Sequence, residues 1–459
     1  MTDQPSRGDL TKALVIDGAA IATVDPDGRE WPSGHVVVRD GVIEAVGPGP
    51  APRVEGARRV DGAGCLLTPG LVNTHHHLYQ WATRGYATES TLFQWLTELY
   101  PIWSRINEPV VTAAATAGLA WLARSGCTTS TDHHYLFPRG GGDLLAATVA
   151  AAASVGLRFH PTRGSMDLGR SDGGLPPDSV VEPIDQILAA SAEAVERFHD
   201  ARPAAMVRIG IAPCSPFSVS TDLLRESAGL ARSLGVRLHT HLAETLDEEE
   251  YCRERHGCTP VEFLDGLQWL GPDVWLAHTV HLRDTDIARL AETGTGVAHC
   301  PSSNARLGAG MAPLRSLVDA GVPVGLGVDG AASQEAGRLV DELRQSVYTA
   351  RLRGTDPTAL NARQALALAT IGGARCLGRE AEIGSVEVGK LADLALWRID
   401  GLGHAGIADP VTALVLGSAP PLELLTVGGE VVVERDELRT VDEAKVAADL
   451  RQACAEVRP

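Results

Sequence analysis

The sequence predicts an α/β fold in which a parallel (β/α)₈ barrel of the TIM type carries a small split β-sandwich domain. Eight short apolar runs recur in the middle of the chain, and most are followed by a segment of helical periodicity. Both chain ends carry hairpin-like strand patterns. The length of 459 residues suits one large domain and a smaller one. We place the sandwich halves at residues 1–68 and 382–459, the latter with a terminal helix, and the barrel at 69–381.

The first half of the sandwich is predicted from alternating apolar segments at 13–15, 35–38 and 42–46, which Asp-Gly and Pro-Gly turns separate. The same texture returns after residue 384 and at 424–434, where Thr-Val-Gly-Gly-Glu-Val-Val-Val indicates a hairpin. We therefore expect the two chain ends to meet in one β-domain.

The barrel is predicted from its strands and from the helices between them. The eight apolar runs are residues 71–77, 128–134, 158–166, 207–216, 237–244, 274–280, 296–304 and 322–330. Apolar residues recur at spacings of three and four in the predicted helices 108–125, 185–199, 221–234, 284–293 and 312–320. This spacing suits the outer ring of a barrel.

Composition excludes several classes of partner. The formal charge of −18 repels nucleic acid and anionic membranes, and no basic cluster reverses it locally. Residues 1–11 are polar and lack a signal-like apolar stretch, and the eight cysteines contain no CxxC pair. We expect a cytoplasmic homo-oligomer with reduced thiols. Its partner is expected to be a small-molecule substrate, and binding to nucleic acid or to a membrane is not expected.

Histidines follow the first predicted barrel strand, at the end where barrels of this type carry their active sites. Side chains alternate along a strand, so His75 and His77 are expected on one side and His76 on the other. A His-x-His pair that faces inward is suited to hold a metal, although adjacent histidines also occur as supporting groups. The pair alone leaves both interpretations open.

Three further strand ends favour the metal. His241 ends the fifth strand with Glu244 three residues later, His278 ends the sixth, and Asp329 ends the eighth. Imidazole and carboxylate are ligands of Zn²⁺, and a catalytic site keeps one position open for water. The predicted ligands are His75, His77, His241 and Asp329.

The remaining polar groups suggest a hydrolytic mechanism. A divalent ion lowers the pKa of water to about 7, and Glu244 suits general acid/base work on the proton released. His278 is expected to contact the attacking oxygen or the substrate, and Asp329 to ligate the metal and accept a proton. Two alternatives remain: Asp329 as a helix N-cap, and Glu244 as an exposed charge before the acidic run 247–250, which is expected to be a solvated helix start.

Several motifs of other enzyme classes are absent from the sequence. It has no His-Glu-x-x-His, no Pro-Cys-x-x-Cys and no Gly-x-x-x-x-Gly-Lys-Ser/Thr. Zincin, base-flipping deaminase and P-loop chemistry are therefore not expected.

Taken together, these motifs resemble the amidohydrolase superfamily, in its mononuclear cytosine/guanine-deaminase-like branch. The resemblance spans nearly the whole chain and includes Gly-Ser-Val-Glu-Val-Gly-Lys-Leu-Ala-Asp in the β-domain. It rests on the segments 69–77 and 241–244, on His278 and on 328–330. The fourth strand offers Ala-Pro-Cys-Ser and no evident lysine to bridge two metals, which favours one ion, Zn²⁺ before Fe²⁺. The resemblance implies hydrolysis of a C–N bond in a cyclic amidine.

Within that branch the strand-end segments look most like those of bacterial 8-oxoguanine deaminases, and somewhat less like triazine hydrolases. These segments are 77–80, 132–138, 162–166 with 173–177, 214–218 and 299–304. The resemblance implies deamination of 8-oxoguanine at C2. Isocytosine, pterin or triazine amino- or chlorohydrolysis is the alternative, and a non-catalytic metal-binding paralogue is disfavoured by the intact Glu244. One departure stands beside the predicted metal site: after Asp329 those deaminases usually read Gly-Ser-Ala-Ser-Asn, and this sequence has Gly330-Ala331-Ala332-Ser333-Gln334.

Five residues are candidates to contact the substrate, by hydrogen bonding or by stacking on its ring plane. Each also has a structural interpretation, as a loop, core or salt-bridged residue. The candidates are Gln80, Trp95, Tyr135, Arg163 and Cys214.

Overall fold

The computed structural model describes residues 13–458. The polar segment 1–11, from which no signal sequence was expected, lies outside the described residues. The first five strands precede the barrel. They are β1 (Ala13–Ala22), β2 (Glu30–Arg39), β3 (Val42–Pro48), β4 (Arg58–Asp61) and β5 (Cys65–Pro69).

Eight parallel strands then close into a barrel, as predicted, with Leu326 pairing Asn73 across the closure. The strands are β6 (Leu71–Asn73), β7 (Cys127–His134), β8 (Arg158–Ser165), β9 (Gly210–Pro213), β10 (Arg237–Leu242), β11 (Val274–His278), β12 (Gly296–His299) and β13 (Val324–Leu326). Several strands are shorter than the apolar runs that predicted them. The ladder stops where the chain turns into the loops, and His278 and Asp329 have left-handed backbone conformations there.

The C-terminal strands join the N-terminal ones in one nine-stranded sheet, which confirms a β-domain built from both chain ends. They are β14 (Leu394–Arg398), β15 (Leu422–Val427), β16 (Glu430–Glu434) and β17 (Glu437–Leu438). β14 runs antiparallel to β5, and the sheet has its own apolar cluster, separate from the main core. Gly428 and Gly429, with φ of 55° and 79°, form the tight turn between β15 and β16.

Helices lie between the barrel strands and after the last of them, β13. Those before β10 are α1 (Leu92–Trp103), α2 (Glu108–Arg124), α3 (Leu144–Val155), α4 (Ile184–Phe198) and α5 (Thr221–Leu234). Those that follow are α6 (Leu246–His256), α7 (Pro260–Gly266), α8 (Asp284–Thr293), α9 (Pro301–Arg306), α10 (Leu314–Asp319), α11 (Leu339–Gly354), α12 (Ala362–Ala367), α13 (Gly373–Cys376), α14 (Pro410–Leu416) and α15 (Glu443–Val457). Helices α1 to α10 lie in the connections between the barrel strands, and α11 to α15 follow β13. The predicted bounds of α5 and α8 agree with the structure. Among residues 13–458, no helix has both the length and the apolar character needed to span a membrane.

A buried ion pair joins the barrel to the β-domain. The Arg158 guanidinium, at the start of β8, donates to both carboxylate oxygens of Asp393, at 2.7 and 3.0 Å. Both side chains are about 2% exposed. The Asp393 carboxylate also accepts from the backbone N–H of Gly428, at 2.7 Å. The ion pair thus holds the N-terminal end of β8 against the β15–β16 turn.

We expect Arg158→Met to lower the free energy of unfolding by about 3 to 5 kcal/mol, because it leaves a buried carboxylate without its partner. Urea denaturation measures the change. The control is Arg225→Met, which removes an exposed pair with Asp222 and is expected to cost less than about 1 kcal/mol. Equal midpoints for the two variants would contradict this assignment.

Candidate metal centre and active site

The first two predicted ligands lie just beyond the end of β6. The strand ends at Asn73, so His75 and His77 stand on extended chain rather than on the strand that was predicted to carry them. Both are buried and face the barrel axis. His76 is turned away, and its ring accepts from the indole N–H of Trp81, at 3.4 Å. The predicted separation of the three histidines is therefore present in the structure.

Backbone carbonyls orient the rings of His77 and His241. Nδ1 of His77 lies 2.7 Å from the carbonyl oxygen of His133, and Nδ1 of His241 lies 2.6 Å from that of Cys214. A carbonyl only accepts, so each Nδ1 carries the proton and each Nε2 keeps its lone pair. The two Nε2 atoms lie 3.1 Å apart. The backbone thus presents both rings as metal ligands.

The ring of His75 is oriented by a second histidine, His239, instead of by a backbone carbonyl. Nδ1 of His239 donates to the carbonyl of Trp275, at 2.7 Å, so its Nε2 is an acceptor. That Nε2 lies 2.8 Å from Nδ1 of His75, which therefore donates. Burial lowers the pKa of His239 to about 3 and that of His75 well below its usual value, so both rings are neutral. Nε2 of His75 is left without a hydrogen-bond partner.

Asp329 lies in the loop after β13. Together with His75, His77 and His241 it forms what we call the histidine–aspartate cluster. Oδ1 of Asp329 lies 3.3 Å from Nε2 of both His75 and His77. Its Oδ2 accepts from the hydroxyls of Ser303 and Ser333, at 2.5 and 3.1 Å. No helix begins at Asp329, since α11 starts ten residues later at Leu339, so the N-cap alternative is wrong.

The cluster fits a divalent metal ion. Two ligand atoms bound to one tetrahedral ion at about 2.0 to 2.1 Å lie about 3.3 Å apart. The separations of 3.1 and 3.3 Å among the Nε2 and Oδ1 atoms are close to this value. Imidazole and carboxylate are also the donors that such ions take. His133, whose Nδ1 is buried without a partner, lies within the same group of donor atoms.

Glu244 and His278 lie beside the cluster. Oε2 of Glu244 is 3.7 Å from Nε2 of His278, and Nδ1 of His278 lies 2.9 Å from the side-chain oxygen of Asn304. Burial raises the pKa of Glu244 to about 7, against the opposing effect of His278. Burial lowers the pKa of His278, but Glu244 and Asp329 raise it above its usual value. The pair thus places a carboxylate that can accept a proton next to an imidazole that can hydrogen-bond a ligand in the cavity.

The acidic run after Glu244 differs from the prediction. Asp247 and Glu250 are exposed, but Glu244 and Glu248 are buried, at 3% and 0% exposure. The helix start is therefore solvated on one side only. Glu248 accepts two backbone N–H groups, which compensates for burying its carboxylate.

A cavity opens above the cluster, and four of the five predicted substrate contacts line it. The predicted residues on its wall are His77, Gln80, Trp95, Tyr135, Cys214, His241, Glu244, His278 and Asp329. The sequence analysis did not assign the other lining residues, which are Leu92, Leu96, Tyr100, Ser215, Phe217, Leu307 and Ser333. The wall therefore combines polar groups near the cluster with aromatic and aliphatic ones.

Arg163 is not brought to this cavity. Its guanidinium lies 3.7 Å from the ring centroid of Phe137 and donates to both oxygens of Glu182, at 2.7 and 2.9 Å. Arg163 therefore has the salt-bridged role that the sequence analysis left as an alternative to contact with the substrate. Phe137 and Glu182 lie in the loops after β7 and β8.

Gln80 and Cys214 differ in what they can offer a ligand. Oε1 of Gln80 is buried without a hydrogen-bond partner. A Cβ atom on Gly330 would lie 1.8 Å from that oxygen, so only glycine leaves room for it. Burial raises the pKa of Cys214 to about 12, so this thiol stays protonated and is no nucleophile at neutral pH.

Three functional positions escaped the sequence analysis. His133 stands next to the end of β7 and His239 in the middle of β10, and His239 shares the period of two with His241. That spacing was the available signal for His239. Asn304 lies 26 residues from His278, so no local pattern links them.

Comparison with known proteins agrees with this geometry. A model of the amidohydrolase family matches residues 66–432. The chain is 45% identical to 8-oxoguanine deaminase of Pseudomonas aeruginosa over 92% of this chain and 94% of that protein. It is 37% identical to an isoxanthopterin deaminase from an unknown prokaryotic organism, over 99% and 98% of the two chains. It also superposes on atrazine chlorohydrolase from Arthrobacter aurescens TC1 complexed with zinc, with a TM-score of 0.91, 34% identity and coverage of 96% and 100%. With the barrel, the histidine–aspartate cluster and these matches, the chain belongs to the amidohydrolase family.

Proposed function

We propose that the protein is a metal-dependent aminohydrolase that deaminates 8-oxoguanine at C2. Water adds to C2, the bond from C2 to the exocyclic nitrogen breaks, and ammonia leaves an oxo group behind. The observation that carries the proposal is the buried carboxylate of Glu244, which lines a cavity that also holds the histidine–aspartate cluster and has its Oε2 3.7 Å from Nε2 of His278. The identity of 45% with an 8-oxoguanine deaminase supports the substrate.

His75, His77, His241 and Asp329 would hold one ion. The three histidines fall in one group of close donor atoms, and Oδ1 of Asp329 lies 3.3 Å from Nε2 of both His75 and His77. The zinc complex of the atrazine chlorohydrolase supports Zn²⁺. When bound, the ion lowers the pKa of water and so supplies a nucleophile at neutral pH. His133 offers a further nitrogen to the same group. The histidines keep their Nε2 lone pairs because carbonyls or the His239 ring accept their Nδ1 protons.

Glu244 accepts the proton of the attacking water and delivers it to a ring nitrogen beside C2. Glu244 then takes the remaining proton from the hydroxyl at C2 and gives it to the amino group, so that the C2–oxygen double bond forms as the C2–nitrogen bond breaks and ammonia leaves. His278, whose Nε2 lies 3.7 Å from Glu244 and which lines the cavity, donates a hydrogen bond to the oxygen that adds at C2. Asp329 is a second carboxylate within 3.9 Å of His278 and serves as an alternative proton acceptor.

The cavity wall suits a flat heterocycle with a polar edge. Trp95, Tyr135 and Phe217 offer aromatic surface to the ring plane. The free Oε1 of Gln80 is placed to accept from a ring N–H. A pyrimidine such as isocytosine has the same amidine edge but covers less of this wall.

We expect Gln80→Leu to lower kcat/KM for 8-oxoguanine by about 10- to 100-fold, because a buried hydrogen bond to the ligand is lost. The melting temperature should stay near that of the wild type. Gln345→Leu, at an exposed position of α11, is the matched control. Equal steady-state constants for the two variants would remove Gln80 from substrate recognition.

The experiment that tests the function is an ammonia assay over a panel of heterocycles. The panel contains 8-oxoguanine, isocytosine, isoxanthopterin and an amino-triazine, each supplied to zinc-loaded protein. Highest kcat/KM on 8-oxoguanine is the expected result. Preference for isoxanthopterin would instead support the pterin alternative, which the 37% identity with an isoxanthopterin deaminase favours as second candidate. No ammonia from any member would overturn the proposal.

A further inference from the structure

The buried carboxylate of Glu248 makes contacts that the proposed chemistry does not use. Oε1 accepts from the backbone N–H of Ala243, at 2.8 Å, and Oε2 accepts from the backbone N–H of Glu244, at 2.9 Å. Each oxygen thus holds one of two consecutive peptide groups. Burial raises the pKa of Glu248 to about 7, whereas the two N–H groups lower it and so favour the ionised form, whose hydrogen bonds are stronger than those of a neutral acceptor. A single side chain, that of Glu248, therefore holds the main chain at Ala243 and Glu244. We call this pair of hydrogen bonds the clamp.

The clamped segment has an unfavourable backbone conformation. Ala243 has a φ of 52°, in the left-handed region that residues other than glycine seldom adopt. This turn takes the chain out of β10 and directs Glu244 toward the cavity. Such conformations persist only where the surrounding contacts impose them. The two hydrogen bonds from Glu248 are contacts of that kind.

The same turn is joined to the strand end that carries His278. The carbonyl oxygen of Ala243 accepts from the N–H groups of Val280 and His281, at 2.9 and 3.0 Å. His278 and Thr279 also have positive φ, at 72° and 46°. The turns behind Glu244 and His278 therefore form one connected unit, held on its far side by Glu248.

Helix capping alone does not explain these contacts. Thr245 is the N-cap of α6 and accepts from the N–H of Glu248, which makes Glu248 the N3 residue. In a capping box, the N3 side chain returns to the N–H of the N-cap residue. The Glu248 carboxylate instead reaches past Thr245 to the two residues before it.

We propose that Glu248 is a positioning residue that holds the Ala243 turn and so fixes the Glu244 carboxylate against the metal site and His278. The inference rests on the proposed role of Glu244 as proton carrier. Glu248 itself does not line the cavity, so it acts through Glu244 rather than on the substrate.

Glu248→Gln tests the inference with little change of shape. One oxygen becomes an NH₂ group that faces a backbone N–H, so one of the two hydrogen bonds is lost. We expect kcat for 8-oxoguanine to fall by about 10- to 100-fold, the range seen when supporting residues of metal sites are changed. KM should stay within about twofold and the metal content should not change. Asp247→Asn, the same charge removal at the exposed neighbour, is expected to match the wild type.

A double-mutant cycle separates positioning from general destabilisation. In the Glu244→Gln background, Glu248→Gln should cost less than about threefold in kcat, because the group that it positions is already inactive. An equal loss in both backgrounds, an unchanged kcat in the single variant, or loss of the metal would each overturn the inference.

Amide hydrogen exchange provides a reading that does not depend on turnover. The amides of Ala243 and Glu244 should exchange faster in Glu248→Gln than in Asp247→Asn, since the hydrogen-bond acceptor is weakened. Unchanged exchange would contradict the clamp. If the wild type releases ammonia from no substrate while exchange still rises, the proposed function fails and the clamp stands.

Discussion

Glu244→Gln is expected to lower kcat for ammonia release by about 10² to 10⁴-fold, the contribution typical of a positioned general acid/base. The amide keeps the size of the carboxylate but cannot accept the proton of water or pass it to the ring. The ligand atoms of the metal cluster are not altered, so metal content and substrate affinity should stay at their wild-type values. Steady-state kinetics, elemental analysis and equilibrium binding measure the three quantities.

Glu250→Gln is the control for this variant, because it makes the same substitution at an exposed position of α6. It should retain wild-type turnover. Near-wild-type turnover in Glu244→Gln would exclude Glu244 from proton transfer and leave Asp329 as the candidate proton acceptor.

His241→Ala is expected to abolish binding of the ion and to lower turnover by more than about 100-fold. Changes to residues that only support a ligand already cost about 10- to 100-fold, so loss of a ligand should cost more. The variant removes an Nε2 that lies 3.1 Å from that of His77. Metal content per chain and kcat should fall together.

His35→Ala serves as the control, since this half-buried histidine lies in the β-domain and contacts the carbonyl of Gly49. It should keep both the ion and the activity. Full metal content in His241→Ala would show that the remaining donors, including His133, suffice without it.

The barrel could be predicted because its strands leave a local signal. Each run of apolar residues is bounded by a polar strand end and a periodic helix, and that pattern survives in sequence even where the ladder is shorter than expected. His75 and His77 were identified for the same reason. Their spacing by two reflects the alternation of extended chain, which continues beyond the last ladder residue, Asn73.

Groups whose role depends on distant partners could not be predicted in this way. The partner of Arg163 is Glu182, in the loop beyond the end of β8, and no sequence period indicates on which side of the strand the arginine lies. Glu248 stands in a run of four acidic residues that is typical of an exposed helix start. Its burial follows from the left-handed turn at Ala243. Such a turn is usually predicted from a glycine, and this position is an alanine.

The central claim is that one divalent ion in the histidine–aspartate cluster is required for deamination of 8-oxoguanine. Its most direct test is to strip the protein with a chelator, return Zn²⁺ in steps, and follow ammonia release against bound metal per chain. The claim predicts no ammonia from the stripped protein and a linear rise that ends at about one equivalent. Full activity without metal, or a rise that continues to about two equivalents, would contradict it.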